Sequence, residues 1–235
     1  MNWESPPKPA ELTESRLIAA ILDGTFPIDS LLPAERELAN QLGITRPTLR
    51  EALQRLARDG WLEIHQGKPT RVRNYWQEGN LGLLNAITRE IEALPPDFVP
   101  QLLEVRVSLA PDYAALAVTR HPDDVARLLA GYHSLADEAK TYSEADWGLH
   151  HRLTVAAANP AYTLILNGFA NLYKLFGALY FSVEVNRRHS DSFYRELEAA
   201  ALQHDPDAAR TVTKRIMIES LNNYLKLNST TGGEA

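Results

Sequence analysis

Arg46 and Arg50 stand four residues apart at the start of a helical stretch, with Thr48 between them. Two arginines at that spacing share one face of a helix. A guanidinium can donate two hydrogen bonds to guanine O6 and N7, and a threonine hydroxyl can hold a phosphate. A helix offering this end to a major groove could therefore read a duplex. Arg36 lies upstream, near the turn that precedes the helix, and can reach the same groove or its edge. Downstream, His65-Gln66-Gly67-Lys68 is a small, polar, cationic tip of the kind that enters a minor groove. An amphipathic helix with two solvated arginines would show the same letters, so the turn, the tip and the local charge must decide.

A second set of residues is apolar. Phe169, Tyr173, Phe176 and Tyr180 fall at i, i+4, i+7 and i+11 and form one aromatic stripe. Such a stripe packs a core, or it walls an apolar tunnel with tyrosine hydroxyls as polar handles. Arg106 bears on that choice. It sits between Val105 and Val107 in a stretch rich in leucine and valine, and a partly buried arginine needs an anion. Glu104 faces elsewhere on a helix, so the anion is another side chain or a ligand. An arginine beside an apolar tunnel suits a long chain with an anionic head.

The elements that must position these groups are legible in part. Leu12, Leu17, Ile18, Ile21 and Leu22 predict a helix from Ala10 to Leu22, stopped by Asp23-Gly24-Thr25. Pro33 opens a second helix to Leu42, with acidic residues in its first turn, and Gly43 ends it. Thr45 caps a third, whose Leu49, Ala52, Leu53 and Leu56 must face inward. Two helices joined by a short glycine-containing turn form a helix-turn-helix. After Gly60 the period changes to two, which predicts strands Trp61–His65 and Thr70–Arg73 around Gln66-Gly67-Lys68-Pro69. Asn74 to Asn80 reads as a linker. From Leu81 to Leu227 helical periodicity recurs, broken at Pro95-Pro96, His121-Pro122, Asn159-Pro160 and Asp205-Pro206. The apolar run Ala161–Val183 carries Asn167, Asn171 and Lys174 at its centre, so it predicts a buried central helix and not a membrane span.

Charge separates the two parts. The net charge is −6 over 235 residues, yet residues 45–73 hold seven basic side chains against three acidic ones, a surplus of four. A local cationic surplus in an acidic protein points to a polyanion for that segment. The chain has no cysteine, which excludes disulfides, thiolate nucleophiles and iron–sulfur clusters. The start, Met1-Asn2-Trp3-Glu4-Ser5-Pro6-Pro7-Lys8-Pro9, lacks the features of a signal peptide, so a cytoplasmic location is expected.

The segments Leu32-Pro-Ala-Glu-Arg-Glu-Leu-Ala, Ile44-Thr-Arg-Pro-Thr-Leu-Arg-Glu-Ala-Leu, Arg55-Leu-Ala-Arg-Asp-Gly-Trp-Leu-Glu-Ile and Gly67-Lys-Pro-Thr carry a resemblance. Over residues 10–76 the chain resembles the N-terminal domain of the GntR family of bacterial transcription factors. Asn159-Pro-Ala-Tyr-Thr-Leu-Ile-Leu-Asn-Gly extends the likeness toward the branch that regulates fatty acid metabolism. The resemblance implies a homodimer on a short palindrome of double-stranded DNA. It puts Arg36, Thr45, Arg46, Thr48, Arg50, Gly67 and Lys68 on DNA-contacting positions. Pro47 stands where that branch has a threonine, and His65-Gln66 inverts its wing order, so the histidine contact passes to Gln66 or vanishes.

The same branch binds long-chain fatty acyl-CoA in its C-terminal domain. Arg106, Tyr173, Tyr180 and Ser220 fall on ligand positions, Tyr224 replaces a tryptophan, and Met217 replaces a glycine, which would narrow the site. Asp146 and His150 share one helix face and resemble half of the metal site of a sister branch that senses small organic acids. The places of its other two histidines hold Tyr194 and Ile216, and two ligands make a poor zinc site, so no metal is expected.

The expectation is a mainly α protein. Residues 1–76 would form a winged helix-turn-helix of three helices and a small β-hairpin, and residues 77–235 an all-α bundle of six or seven helices that binds ligand. It would be a cytoplasmic DNA-binding regulator of fatty acid metabolism, homodimeric, released from its operator by long-chain acyl-CoA, without cofactor, membrane contact or catalysis. A GntR-type sensor of a metal-bound carboxylate, through Asp146 and His150, is one alternative. A thioester-handling enzyme is the other, but the chain shows no nucleophile elbow and no phosphate loop.

Overall fold

A computed structural model describes residues 8–87, 94–95 and 97–231. Twelve helices and a two-stranded sheet are present among them. Contacts divide the chain into two units, residues 1–95 and 96–235.

In the first unit, α1 (Pro9–Leu22) buries Leu17, Ile18 and Ile21, while Leu12 is exposed, against the expected apolar face. The helix is fixed at its start by the Lys8 backbone N–H, which donates to Glu11 Oε2 at 3.0 Å. α2 (Glu35–Leu42) starts two residues later than expected, because Pro33 stays outside the helix and Ala34 becomes the N-cap. Gly43 then takes φ 67°, a left-handed conformation suited to glycine, and the chain turns. α3 (Arg46–Asp59) is capped by Thr45, whose Oγ1 accepts from the Thr48 N–H. Leu49, Ala52, Leu53 and Leu56 are buried, which turns the arginine face outward.

Gly60 has φ 99° and abuts Gly79, so the chain leaves α3 in a conformation a side chain would resist. β1 (Leu62–Glu63) pairs antiparallel with β2 (Arg71–Val72), Leu62 opposite Val72. Both strands are shorter than expected. The sheet is extended instead by residues before α2. Leu32 N–H donates to Thr70 O at 2.8 Å, Val72 N–H donates to Ser30 O at 2.9 Å, and Leu31 bridges Arg71. The expected linker Asn74–Asn80 holds a helical turn, α4 (Tyr75–Glu78). Tyr75 is buried against Trp61, with ring centroids 4.8 Å apart, and that packing fixes the turn. α5 (Leu81–Ile87) is the last helix described in this unit.

The second unit contains α6 (Phe98–Arg120), α7 (Pro122–Ala130), α8 (Ala139–Ala156), α9 (Pro160–Gly168), α10 (Ala170–Phe181), α11 (Glu184–Leu202) and α12 (Pro206–Thr231). Three of the four expected proline breaks open α7, α9 and α12, and the fourth falls partly outside the described residues. α6 packs along α12, α11 lies on α12 and α7, and α8 carries α10 and α6. Leu129, Leu149, Leu153, Phe193 and Leu197 fill the core between them. The single buried helix expected over Ala161–Val183 is in fact two, α9 and α10, hinged at Phe169. Leu164, Leu175 and Leu179 lie exposed on that pair. No helix among the described residues is long and apolar enough to cross a membrane.

Candidate functional site

Two places in the structure hold the residues singled out above. On the first unit, α3 presents Arg46 and Arg50 on one exposed face, with Thr48 half-buried beside the capping Thr45. The two threonine hydroxyls bond each other at 2.8 Å. Arg36 is exposed on α2. Arg50 is engaged, because its Nε donates to Glu35 Oε2 at 2.7 Å. Arg36 and Arg46 have no carboxylate partner among the described residues.

The hairpin tip is exposed from His65 to Lys68. Gly67 sits at φ 73°, and the Lys68 N–H donates to His65 O at 3.2 Å, which closes the turn. Below the tip, Glu63 accepts from Arg71 Nε at 2.8 Å and lies 2.9 Å from His65 Nε2. The Arg71 and His65 hydrogen bonds hold the Glu63 carboxyl below its usual pKa. Arg71 also grips Asp29, so the wing is tied to the segment that leads into α2. Charged side chains thus anchor a short hairpin that has little sheet of its own.

The second place is a cavity inside the second unit, walled by α6, α8, α9, α10, α11 and α12. It contains every residue that was expected at a ligand site: Arg106, Phe169, Tyr173, Phe176, Tyr180, Met217, Ser220 and Tyr224. Sequence reasoning missed Leu102, Leu109, Tyr162 and Ile165, which are ordinary apolar positions on amphipathic helices and carry no distinguishing letter. Tyr180 Oη donates to Ser220 Oγ at 3.3 Å, and Phe176 meets Tyr224 edge to face at 6.1 Å. The aromatic stripe therefore packs and lines at once.

The anion for Arg106 is a side chain. Arg106 Nη2 donates to Asp146 Oδ2 at 3.1 Å and to Tyr173 Oη at 2.7 Å, with its guanidinium over the Tyr173 ring. Tyr173 also donates to Asp146 Oδ2, and Tyr194 donates to Oδ1 at 3.0 Å. Burial alone would raise the Asp146 pKa, but the Arg106 charge and the two hydroxyl donors lower it. Asp146 stays ionised and Arg106 charged, so the pair on the cavity wall is neutral, although the buried Arg106 Nε has no hydrogen-bond partner.

His150 is wholly buried, with Nδ1 2.8 Å from Tyr113 Oη. Burial, then the Arg106 charge, outweigh Asp146 and depress its pKa to about 3, so the ring is neutral. Its Nε2 lies 3.9 Å from Asp146 Oδ2 and has no hydrogen-bond partner. Among the described residues no three His, Asp or Glu side chains are grouped to hold a metal ion. Both oxygens of Asp146 are committed to Arg106 and the tyrosines.

The pattern of bacterial regulatory proteins of the gntR family matches residues 9–72, and that of the FadR C-terminal domain matches residues 73–232. The fatty acid metabolism regulator protein of Shewanella denitrificans is 46% identical over 194 residues, which covers 83% of this chain and 81% of that protein. Its counterpart in Shewanella oneidensis is 45% identical over 193 residues, covering 82% and 80%. The solved structure of Lar, which controls the Listeria monocytogenes agr system, superposes with TM-score 0.62 at 16% identity over 95% of this chain and 100% of Lar, a likeness of fold alone. The chain belongs to the GntR family of bacterial regulatory proteins, in the branch that carries a FadR C-terminal domain.

Proposed function

We propose that this protein is a transcription regulator of fatty acid metabolism that binds a palindromic DNA operator as a homodimer and is released from it by long-chain fatty acyl-CoA. The observation that carries the ligand half is the cavity. Eight residues that the amino-acid sequence marks for an acyl site converge on one apolar chamber. The relatives' names supply the metabolic context.

The paired charges of Arg106 and Asp146 refine the ligand's pose. No unpaired charge faces the chamber, so it suits the acyl chain, and the nucleotide head must find its partners elsewhere. Residues 1–76 carry the DNA contacts, from Arg36, Thr45, Arg46, Thr48, Arg50 and the wing residues His65, Gln66, Gly67 and Lys68. Residues 77–235 carry the effector. The role is regulatory and not catalytic, in the cytoplasm, with no cofactor beyond the effector.

Because ligand and DNA oppose each other, each must weaken the other's binding by the same free energy. Isothermal titration of acyl-CoA into free and operator-bound protein tests this. A weaker acyl-CoA affinity in the DNA complex supports the reading, and equal affinities refute release by ligand.

A further inference from the structure

Of the three arginines on the exposed face of the helix-turn-helix, one is tethered. Arg50, on the recognition helix α3, donates from Nε to Glu35 at the first position of α2, 2.7 Å away and fifteen residues back in the chain. Arg50 is 59% exposed and Glu35 34%, so the pair lies at the surface. A surface pair of this kind adds little to stability. On the DNA-binding reading it carries a cost, because a carboxylate at the rim of a phosphate-facing surface repels the backbone of the duplex. Something other than fold stability must therefore recommend it.

The geometry of the contact suggests what. A guanidinium can grip a two-acceptor edge sideways, through Nε and one terminal nitrogen, or end-on, through both terminal nitrogens. With Nε held by Glu35, only the end-on fork remains. A loose arginine can swing to any nearby phosphate, whereas one held by Nε presents a fixed pair of donors to a base edge such as guanine O6 and N7.

We propose that Glu35 is a positioning residue for sequence choice: it holds Arg50 by Nε so that both terminal nitrogens meet one base, lowering general affinity while sharpening discrimination. The inference rests on the DNA-binding reading above and adds to it a residue that itself need not touch DNA.

The test uses duplexes selected by the full-length wild-type protein from a randomised palindromic pool, then substituted one base pair at a time. Wild type, Glu35→Ala, Glu35→Gln and Arg50→Ala are titrated onto each duplex, with thermal unfolding as a control. Glu35→Ala should lose about 5- to 20-fold of discrimination at one base pair of each half-site. That base pair should be the one relaxed by Arg50→Ala. Binding to random duplex should tighten about twofold as a negative charge is removed, with unfolding unchanged. Glu35→Gln keeps an acceptor for Nε and should retain most of the discrimination. Glu35→Ala with wild-type preference at every position, or with a uniform loss on all duplexes, overturns the proposal. Wild type that selects no sequence overturns the DNA-binding reading itself, and the two failures are told apart in one data set.

Discussion

Arg106 and Asp146, forty residues apart in sequence, form an ion pair at 3.1 Å on the wall of the chamber in the helical domain. Their side chains are only 18% and 7% exposed; Tyr173 bonds both and Tyr194 bonds Asp146, while Arg106 Nε is buried without a partner. An arginine in an apolar wall invites the idea of an anion clamp. Here the protein supplies the anion.

Removing one partner should therefore hurt more than removing both. Asp146→Asn leaves a buried guanidinium without its counter-charge and should cost about 3–5 kcal/mol in urea unfolding. The double change Arg106→Met with Asp146→Leu should recover most of that loss. A double variant as unstable as the single one would mean the pair is not what holds these helices.

His150 gives the protein a signature in acid. Its folded pKa is about 3, below the ordinary 6.5, so the unfolded chain binds a proton that the folded chain refuses. Stability from this group is complete above pH 6.5 and drains away as pH falls toward 3, at no more than about 1.4 kcal/mol per pH unit. Asp146, also depressed, adds its own loss as pH falls through its lowered folded pKa. Thermal unfolding of His150→Gln across this range should show a flatter slope than wild type between pH 6.5 and 4.

The head should separate two kinds of contact. Arg46→Ala should cost about 1–3 kcal/mol on the operator and relax one base position. Lys68→Ala should weaken all duplexes alike and lower the slope of log affinity against log salt by about one. Competition titrations at several salt concentrations distinguish them.

Met217 is 4% exposed and lines the chamber where the relatives' branch is expected to have a small residue. Met217→Ala should destabilise the free protein by about 2–4 kcal/mol, because it leaves a void. If the acyl chain lies there, the same change should favour longer chains over shorter ones, read by calorimetry with a chain-length series.

Much of this was legible in the letters, for reasons that are local. Thr45, Gly43 and Gly60 mark helix ends by their own chemistry, and Leu49, Ala52, Leu53 and Leu56 declare the inward face, so the arginine face follows. The aromatic stripe left core and tunnel open, and its single helical face proves to pack and line at once. What escaped was tertiary. The α4 turn exists because Tyr75 packs on Trp61, and no local pattern announces it. The break at Phe169 follows Gly168 inside a mainly apolar run, and a lone glycine does not by itself end a helix. The Arg106–Asp146 pair joins α6 to α8, and Asp146 looked instead like half of a metal site with His150. Likewise Glu35 reads as a helix-start residue, and its hold on Arg50 emerges only when α2 and α3 are folded together.

The most direct test of the account is a fluorescence-anisotropy titration of the protein on its selected palindromic duplex, repeated with saturating long-chain acyl-CoA and with free coenzyme A. The account predicts release of the duplex by acyl-CoA and none by free coenzyme A, since the chamber receives the chain. An operator affinity unchanged by acyl-CoA would contradict it.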